Sequence, residues 1–180
     1  MKLKSFYILL IILIISTYGC KVNSSMKQTY ASYFVDNNVY LYFIKPLKLK
    51  NNNIEALIDF TFKDSSLNSN SGVICNFTLY NHTFEKNDEV YFVENSKKVK
   101  LQNTTILYSE VKNNKLITRF TSSLSSKVLL EALEKKAFHL IVKNNSLNTE
   151  FVCILSDKSS KRWNKTHNSI FQTLNIKKSQ

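Results

Sequence analysis

Residues 54–63, IEALIDFTFK, decide the fold. Ile54, Ala56, Ile58, Phe60 and Phe62 fall on every second position, with Glu55, Asp59, Thr61 and Lys63 between them. Successive side chains of a strand point to opposite faces, so this period of 2 predicts a strand with one apolar and one polar face. A helix would scatter the same five apolar residues around its circumference.

Outward from this strand the pattern continues. Upstream, ASYFVDNNVYLYFIK (31–45) reads as two strands around an Asp36-Asn37-Asn38 turn, because Asn tolerates the left-handed backbone of tight hairpins. Pro46 is expected to end or interrupt the run of strand beyond it. Tyr30, Tyr33, Tyr40, Tyr42 and Phe43 populate both faces of this hairpin. Burial on both sides is the favoured reading, over an exposed aromatic patch able to hold a partner.

Downstream, DSSLNSNSG (64–72) reads as a loop and GVICNFTLY (72–80) as the next strand. Strands near 90–93 and 99–101 flank a Glu94-Asn95-Ser96-Lys97 turn, and TTILYSEVKNNKLITRFT (104–121) is a hairpin turning at Asn113-Asn114.

Two stretches change to helical spacing. From about Ser126 to Ala137, Leu129, Ala132 and Leu133 share a face while Glu131, Glu134 and Lys135 lie away from it. FHLIVK (138–143) and TEFVCILS (149–156) then read as strands joined by an Asn-rich turn. A last helix, about 159–176, carries Trp163, His167, Ile170 and Leu174 on one stripe, with Phe171 at its edge. The fold class is therefore mainly β to α+β: an antiparallel sheet or sandwich with two packed helices, about 126–137 and 159–176. No repeat and no break in composition divides 29–180, which reads as a single β-rich domain.

The chain carries 25 Lys and Arg against 13 Asp and Glu, a net charge of +12. The first 19 residues hold Lys2 and Lys4 and no acid, so the remainder is +10. Of the 25 basic residues 23 are lysines, and 21 residues are Asn. That composition accompanies AT-rich coding, and spread lysines read first as a solvated surface. The closing helix is the exception. Lys158, Lys161 and Lys165 lie opposite its apolar stripe with Arg162 nearby, a candidate surface for an anionic lipid or polysaccharide. A protein partner is the other class considered. Nucleic acid is not expected, since the aromatics alternate as core positions and no helix-turn-helix or RNP pattern occurs.

Catalytic signatures are scarce. Beyond residue 19 there is one glycine, Gly72, which excludes a glycine-rich phosphate loop or a G-x-S-x-G elbow. His82, His139 and His167 show no metal-ligand spacing, and C-x-x-C and H-E-x-x-H are absent. His82 is expected in a solvated turn, His139 on an exposed strand face, and His167 stacked against the sheet. Asp88-Glu89 beside Asn87 reads as a generic strand entrance rather than a cation site. The chain is thus expected to be no enzyme and to use no cofactor or metal. Cys75 shares a face with Val73, Phe77 and Leu79, and Cys153 with Phe151 and Leu155. In an exported protein such a pair predicts a disulfide, with two separate buried thiols as the competing reading.

Export is suggested by the start of the chain, MKLKSFYILLIILIISTYGC. A short basic segment precedes ten unbroken apolar residues, Phe6 to Ile15. A spanning helix needs about 20 apolar residues, whereas about 7–15 suit the core of a cleaved signal peptide. Gly19 followed by Cys20 resembles the end of a bacterial, spirochaete-like lipoprotein signal. The resemblance implies cleavage after Gly19 and acylation of Cys20, which would hold the protein at a membrane of the cell envelope. Residues 1–19 are then the signal peptide, 20–28 the acylated cysteine and a short tether, and 29–180 the domain. Two acyl chains anchor durably where one binds reversibly. The function expected is a non-enzymatic, lipid-anchored envelope protein acting by binding or envelope structure. A soluble periplasmic or secreted domain cut after Gly19, an uncleaved anchor and an exported enzyme are the alternatives.

Overall fold

The structure is a computed structural model that describes residues 28–36, 39–51, 54–67, 72–85 and 87–178, with side chains at all of these except 66, 67 and 174–178. The leader, Cys20 and most of the tether lie outside the described residues, as do Asn37, Asn38 and the side chain of Leu174. Among the described residues ten strands form one antiparallel sheet: β1 (Tyr30–Asp36), β2 (Val39–Lys50), β3 (Glu55–Lys63), β4 (Gly72–Tyr80), β5 (Glu89–Glu94), β6 (Lys97–Lys100), β7 (Gln102–Lys112), β8 (Lys115–Ser125), β9 (His139–Asn144) and β10 (Thr149–Leu155). One helical turn, α1 (Asp64–Leu67), begins the stretch expected to be a loop. The two expected helices are α2 (Ser126–Lys135) and α3 (Asp157–Lys178). The chain is mainly β with two packed helices, as its periodicity predicts.

The order β6-β5-β9-β10-β2-β3-β4-β8-β7 makes β3 a central strand. Its inward residues meet inward residues on both sides. Phe60 lies opposite Ile44 and Cys75, Ile58 opposite Leu47 and Phe77, and Ala56 opposite Leu49 and Leu79. A slip of one residue would turn this entire set to solvent, so burial fixes the register. On the other face Arg119 pairs with Asp59 at 2.7 Å and donates to Thr78, while Asn76 donates to Asp59, tying β3, β4 and β8 together.

Pro46 does not end β2. The register shifts between Ile44 and Leu47, where three steps along β2 face two along β3, from Phe60 to Ile58. This bulge takes up the extra residue, tolerates the missing proline N–H, and returns Leu47 and Leu49 to the face that holds Tyr42 and Ile44. Lys45 N at the bulge donates to Thr29 O.

Asparagine supplies the left-handed backbone that glycine usually provides. Asn95 and Ser96 turn β5 into β6 with φ of 43° and 69°, and Asn113 and Asn114 turn β7 into β8 with φ of 51° and 58°. Two consecutive positive φ values match the twist of a tight hairpin. Helix α2 starts at Ser125, whose side chain accepts from Val128 N, and stops at Lys136, whose φ of 58° lets its N–H reach Leu133 O.

The sheet bends where β10 meets β2. Only Ile154–Lys50 and Leu155–Leu49 are in register there. Ser156 N then donates to Lys48 O, and Ser159 Oγ accepts from Lys48 N at 2.8 Å. Beyond this seam the four strands β6-β5-β9-β10 fold over the rest, so that Phe92 of β5 meets Phe60 of β3 edge to face at 6.1 Å. Phe138 and Trp163 close the same cluster, 5.9 Å and 5.8 Å from the Phe60 ring. Trp163 is fully buried and its Nε1 donates to Ala132 O, fastening α3 to α2. The buried stripe of α3 is Ser159, Trp163, Thr166 and Ile170. Thr166 thus takes the place expected for His167, and its hydroxyl avoids an unmet burial cost by donating to Arg162 O.

Phe60→Ala removes the ring all these parts share and should destabilise the domain by about 3–5 kcal/mol. Urea unfolding followed through the emission of Trp163, the only tryptophan, checks this. A loss below about 1 kcal/mol would mean the two halves of the sheet hold together without the cluster.

Candidate functional site

A polar cavity lies at the end of the sheet where β2 finishes, β3 begins, β4 finishes and β8 begins. Lys48, Lys50, Asn51, Ile54, Glu55, Tyr80, Asn81, Lys115 and Ser156 line about 330 Å³. Alternation along β2 places Lys48 and Lys50 on the face opposite Leu47 and Leu49, and the Asn113-Asn114 turn brings Lys115 alongside. Asn81, with a φ of 57°, donates its N–H to Leu116 O and so joins the end of β4 to the start of β8. Lys48 pairs with Glu55 at 2.7 Å. Among the described residues it is the one lysine of the three with a carboxylate at that distance. Three ammonium groups against one carboxylate leave the cavity at +2. Burial first, then the Glu55 charge, raises the Tyr80 hydroxyl above its ordinary pKa, so it stays a neutral hydrogen-bond donor. The site can therefore hold an anion by charge, with Tyr80 and the Asn81 amide as directional partners.

The basic face of α3 is only partly assembled. Lys158, Lys161 and Lys165 are exposed, but Arg162 is half-buried. Its Nη2 is 3.4 Å from Lys45 O at the β2 bulge, and burial lowers its pKa. Arg162 belongs to the seam between α3 and the sheet. A second cavity, about 310 Å³, has a mixed lining of Val93, Phe138 and Leu155 with Asn95, His139 and Ser160.

Cys75 and Cys153 are two separate buried thiols, and the expected disulfide is not formed. Strands β2 and β3 stand between β10 and β4, and Cys75 is level with Ile44 of β2 whereas Cys153 lies next to Ile154, level with Lys50, so the two are neither on neighbouring strands nor at one height. A bridge needs Cα atoms within about 7 Å. Facing the core on alternating strands is necessary for a bond but does not make two strands neighbours. Burial pushes both thiols up, Cys153 to about 11, which suppresses the reactive thiolate.

The histidines also part from expectation. His82 is buried rather than solvated, its ring 5.4 Å from Phe151, with Nε2 lacking a partner. Burial lowers its pKa although Asp88 acts in the opposite sense, and burial likewise lowers that of half-buried His139. His167 packs on Phe171 of its own helix rather than on the sheet. Asp88 accepts from the N–H groups of Glu85 and Asn145, so its oxygens serve the backbone. Glu89 is held by Lys100 and Tyr91, which bring its carboxyl down to about 2. Among the described residues no group of three His, Cys, Asp or Glu comes together to hold a metal.

The first hairpin departs furthest. Tyr42 is buried at its base and stacks on Phe62, with Tyr30 beside it bonding Thr173. Towards the tip, Tyr33, Phe34 and Val35 are 59 %, 62 % and 50 % exposed, and Phe43 is 37 % exposed. The expected burial on both sides is not found: the inner face is buried at the base, through Tyr42 and Ile44, and the outer face with Phe43 is exposed. Alternation marks these residues as strand, but it cannot tell a covered face from a bare one.

No family model matches the chain, and no curated protein matches it.

Two outcomes are expected of the buried groups. In denaturant without reductant, a thiol reagent should titrate Cys75 and Cys153 as two free thiols per domain, and none in the folded state. A titre of zero would restore the disulfide. Because burial lowers the His82 and His139 pKa values, the unfolded chain takes up protons first as pH falls below about 6.5. Stability should be full above that pH and decline below it. His82→Phe should flatten the decline, and a midpoint indifferent to pH between 7 and 5 would contradict the assignment.

Proposed function

We propose that the chain is a lipid-anchored protein of the cell envelope that acts by binding, and that the lysine cavity takes an anionic ligand. The single observation that carries the binding reading is the convergence of Lys48, Lys50 and Lys115 on a cavity with one carboxylate. A volume of about 330 Å³ fits a small charged group, such as one acidic sugar of a polysaccharide or a phosphate-bearing unit. Gly19-Cys20 behind a short apolar leader supports the address. Among the described residues no helix is long and apolar enough to cross a membrane, and in this reading the acylated Cys20 provides the attachment. Each ammonium attracts the ligand at long range, and the neutral donors fix its orientation. Such binding weakens with salt.

Radiolabelled palmitate tests the anchor: label should enter the wild-type chain and vanish in Cys20→Ala. Label absent from both would overturn the acyl anchor and leave the soluble, cleaved domain and the uncleaved leader as the alternatives. Calorimetric titration with a heparin hexasaccharide, a generic polyanion probe, tests the cavity. Lys50→Ala with Lys115→Ala should weaken binding about tenfold or more, near 1.4 kcal/mol, while Lys161→Ala with Lys165→Ala leaves it unchanged. The reverse would move the site to α3, and no binding by the wild type would remove the anionic ligand.

A further inference from the structure

The tip of the β1–β2 hairpin is aromatic on both of its faces. Phe34 packs edge to face on Tyr40 at 5.6 Å, and Tyr33 on Phe43, also at 5.6 Å. Register separates the two pairs. Tyr30 lies opposite inward-facing Ile44 and Phe34 opposite Tyr40, so these belong to the inner face. Tyr33 and Phe43 occupy the outer face.

Among the described residues no strand covers the outer edge of the tip. β3 takes one edge of β2 along most of its length, and β1 and β10 divide the other, β1 at 39–44 and β10 at 49–50. Among the described strands none pairs with the free edge of β1. A groove in a protein partner would cover one face of such a hairpin, whereas a fluid apolar medium covers both faces and the edge at once. Tyr and Phe are side chains that settle at a bilayer's interfacial layer.

Chain length makes the same connection. From Tyr30 the hairpin runs six residues to Asp36, about 20 Å. From Cys20 to Tyr30 is ten residues, which reach at most about 35 Å. A tether rooted in the bilayer at Cys20 can therefore pass back along the hairpin and leave the tip at the membrane surface with slack to spare.

We infer that Tyr33, Phe34, Val35 and Phe43 form a membrane-contacting wedge that dips into the headgroup layer of the bilayer holding Cys20. This rests on the proposed anchor for its reach, though not for its chemistry. The wedge converts a flexible attachment into an oriented one. The hairpin points at the lipid, and the lysine cavity at the other end of β2 points away.

The experiment uses the full chain purified from its own membranes and reconstituted into phosphatidylcholine vesicles with brominated acyl chains. One variant carries Tyr33→Trp at the hairpin. A second carries Val111→Trp on β7, near the lysine end, where the native residue is 74 % exposed. Buried Trp163 contributes equally to both. The Tyr33→Trp increment should be blue-shifted and lose at least half its intensity to bromine, and the Val111→Trp increment should be unquenched. Palmitate label is read on the same preparations. Label with quenching at position 33 supports wedge and anchor. Label without quenching overturns the wedge and leaves the anchor standing. Quenching without label supports the wedge and overturns the anchor. A blue shift without quenching means a protein or a second copy covers the tip, and it too overturns the wedge.

Discussion

Four parts of the chain meet on the Phe60 ring. It comes from the middle of β3, and around it stand Phe92 from β5, Phe138 from the α2–β9 connection and Trp163 from α3. The two halves of the sheet share only a two-pair seam in register between β10 and β2, which is too little backbone bonding to fix their angle. Burial of four aromatic rings supplies what the seam lacks. Each ring removes a large apolar area from water, and edge-to-face contacts add direction to that burial. The Trp163 bond to Ala132 O then sets where α3 lies, and with it the Ser156–Ser159 corner that clasps Lys48.

Much of this is legible in the sequence, because burial acts through period. The alternation of Ile54 to Phe62 gives five inward side chains, all buried in the core. The Asn113-Asn114 and Asn95-Ser96 turns are legible because few residues other than glycine accept positive φ, and this chain has nearly none of that glycine. Helix α2 carries its apolar face in Leu129, Ala132 and Leu133, but it ends at Lys135, two residues short of the expected Ala137, where Lys136 turns left-handed.

The features that escape a linear reading depend on neighbours. Pro46 reads as a stop because one residue cannot announce that its partner strand will take up a bulge. His82 reads as solvated from its turn-like surroundings, yet Phe151, far along the chain, covers it. The cysteines share inward faces, but the order of strands between them is a tertiary fact. Thr166 replaces His167 on the buried stripe because α3 packs around Trp163 rather than along an average helical face. The lysine cavity is hidden for a similar reason. Lys48, Lys50 and Lys115 lie among 23 lysines, and only the folding of β8 beside β4 separates them from the rest.

β2 joins the aromatic hairpin to the lysine cavity. Its first residues build the one, its last build the other, and the eleven steps from Val39 to Lys50 span about 36 Å. An anchored, wedge-down orientation holds the lysines that far above the lipid, within reach of a ligand outside the bilayer. Amine labelling tests this orientation most directly. The vesicle-bound protein and the detergent-solubilised protein are treated with a membrane-impermeant reagent, and each lysine is read by mass spectrometry. Lys45, two residues from Phe43, should be slowed several-fold on vesicles, while Lys50 and Lys115 react at the same rate in both. Equal rates at all three, or protection confined to Lys50 and Lys115, would contradict the orientation and the function proposed from it.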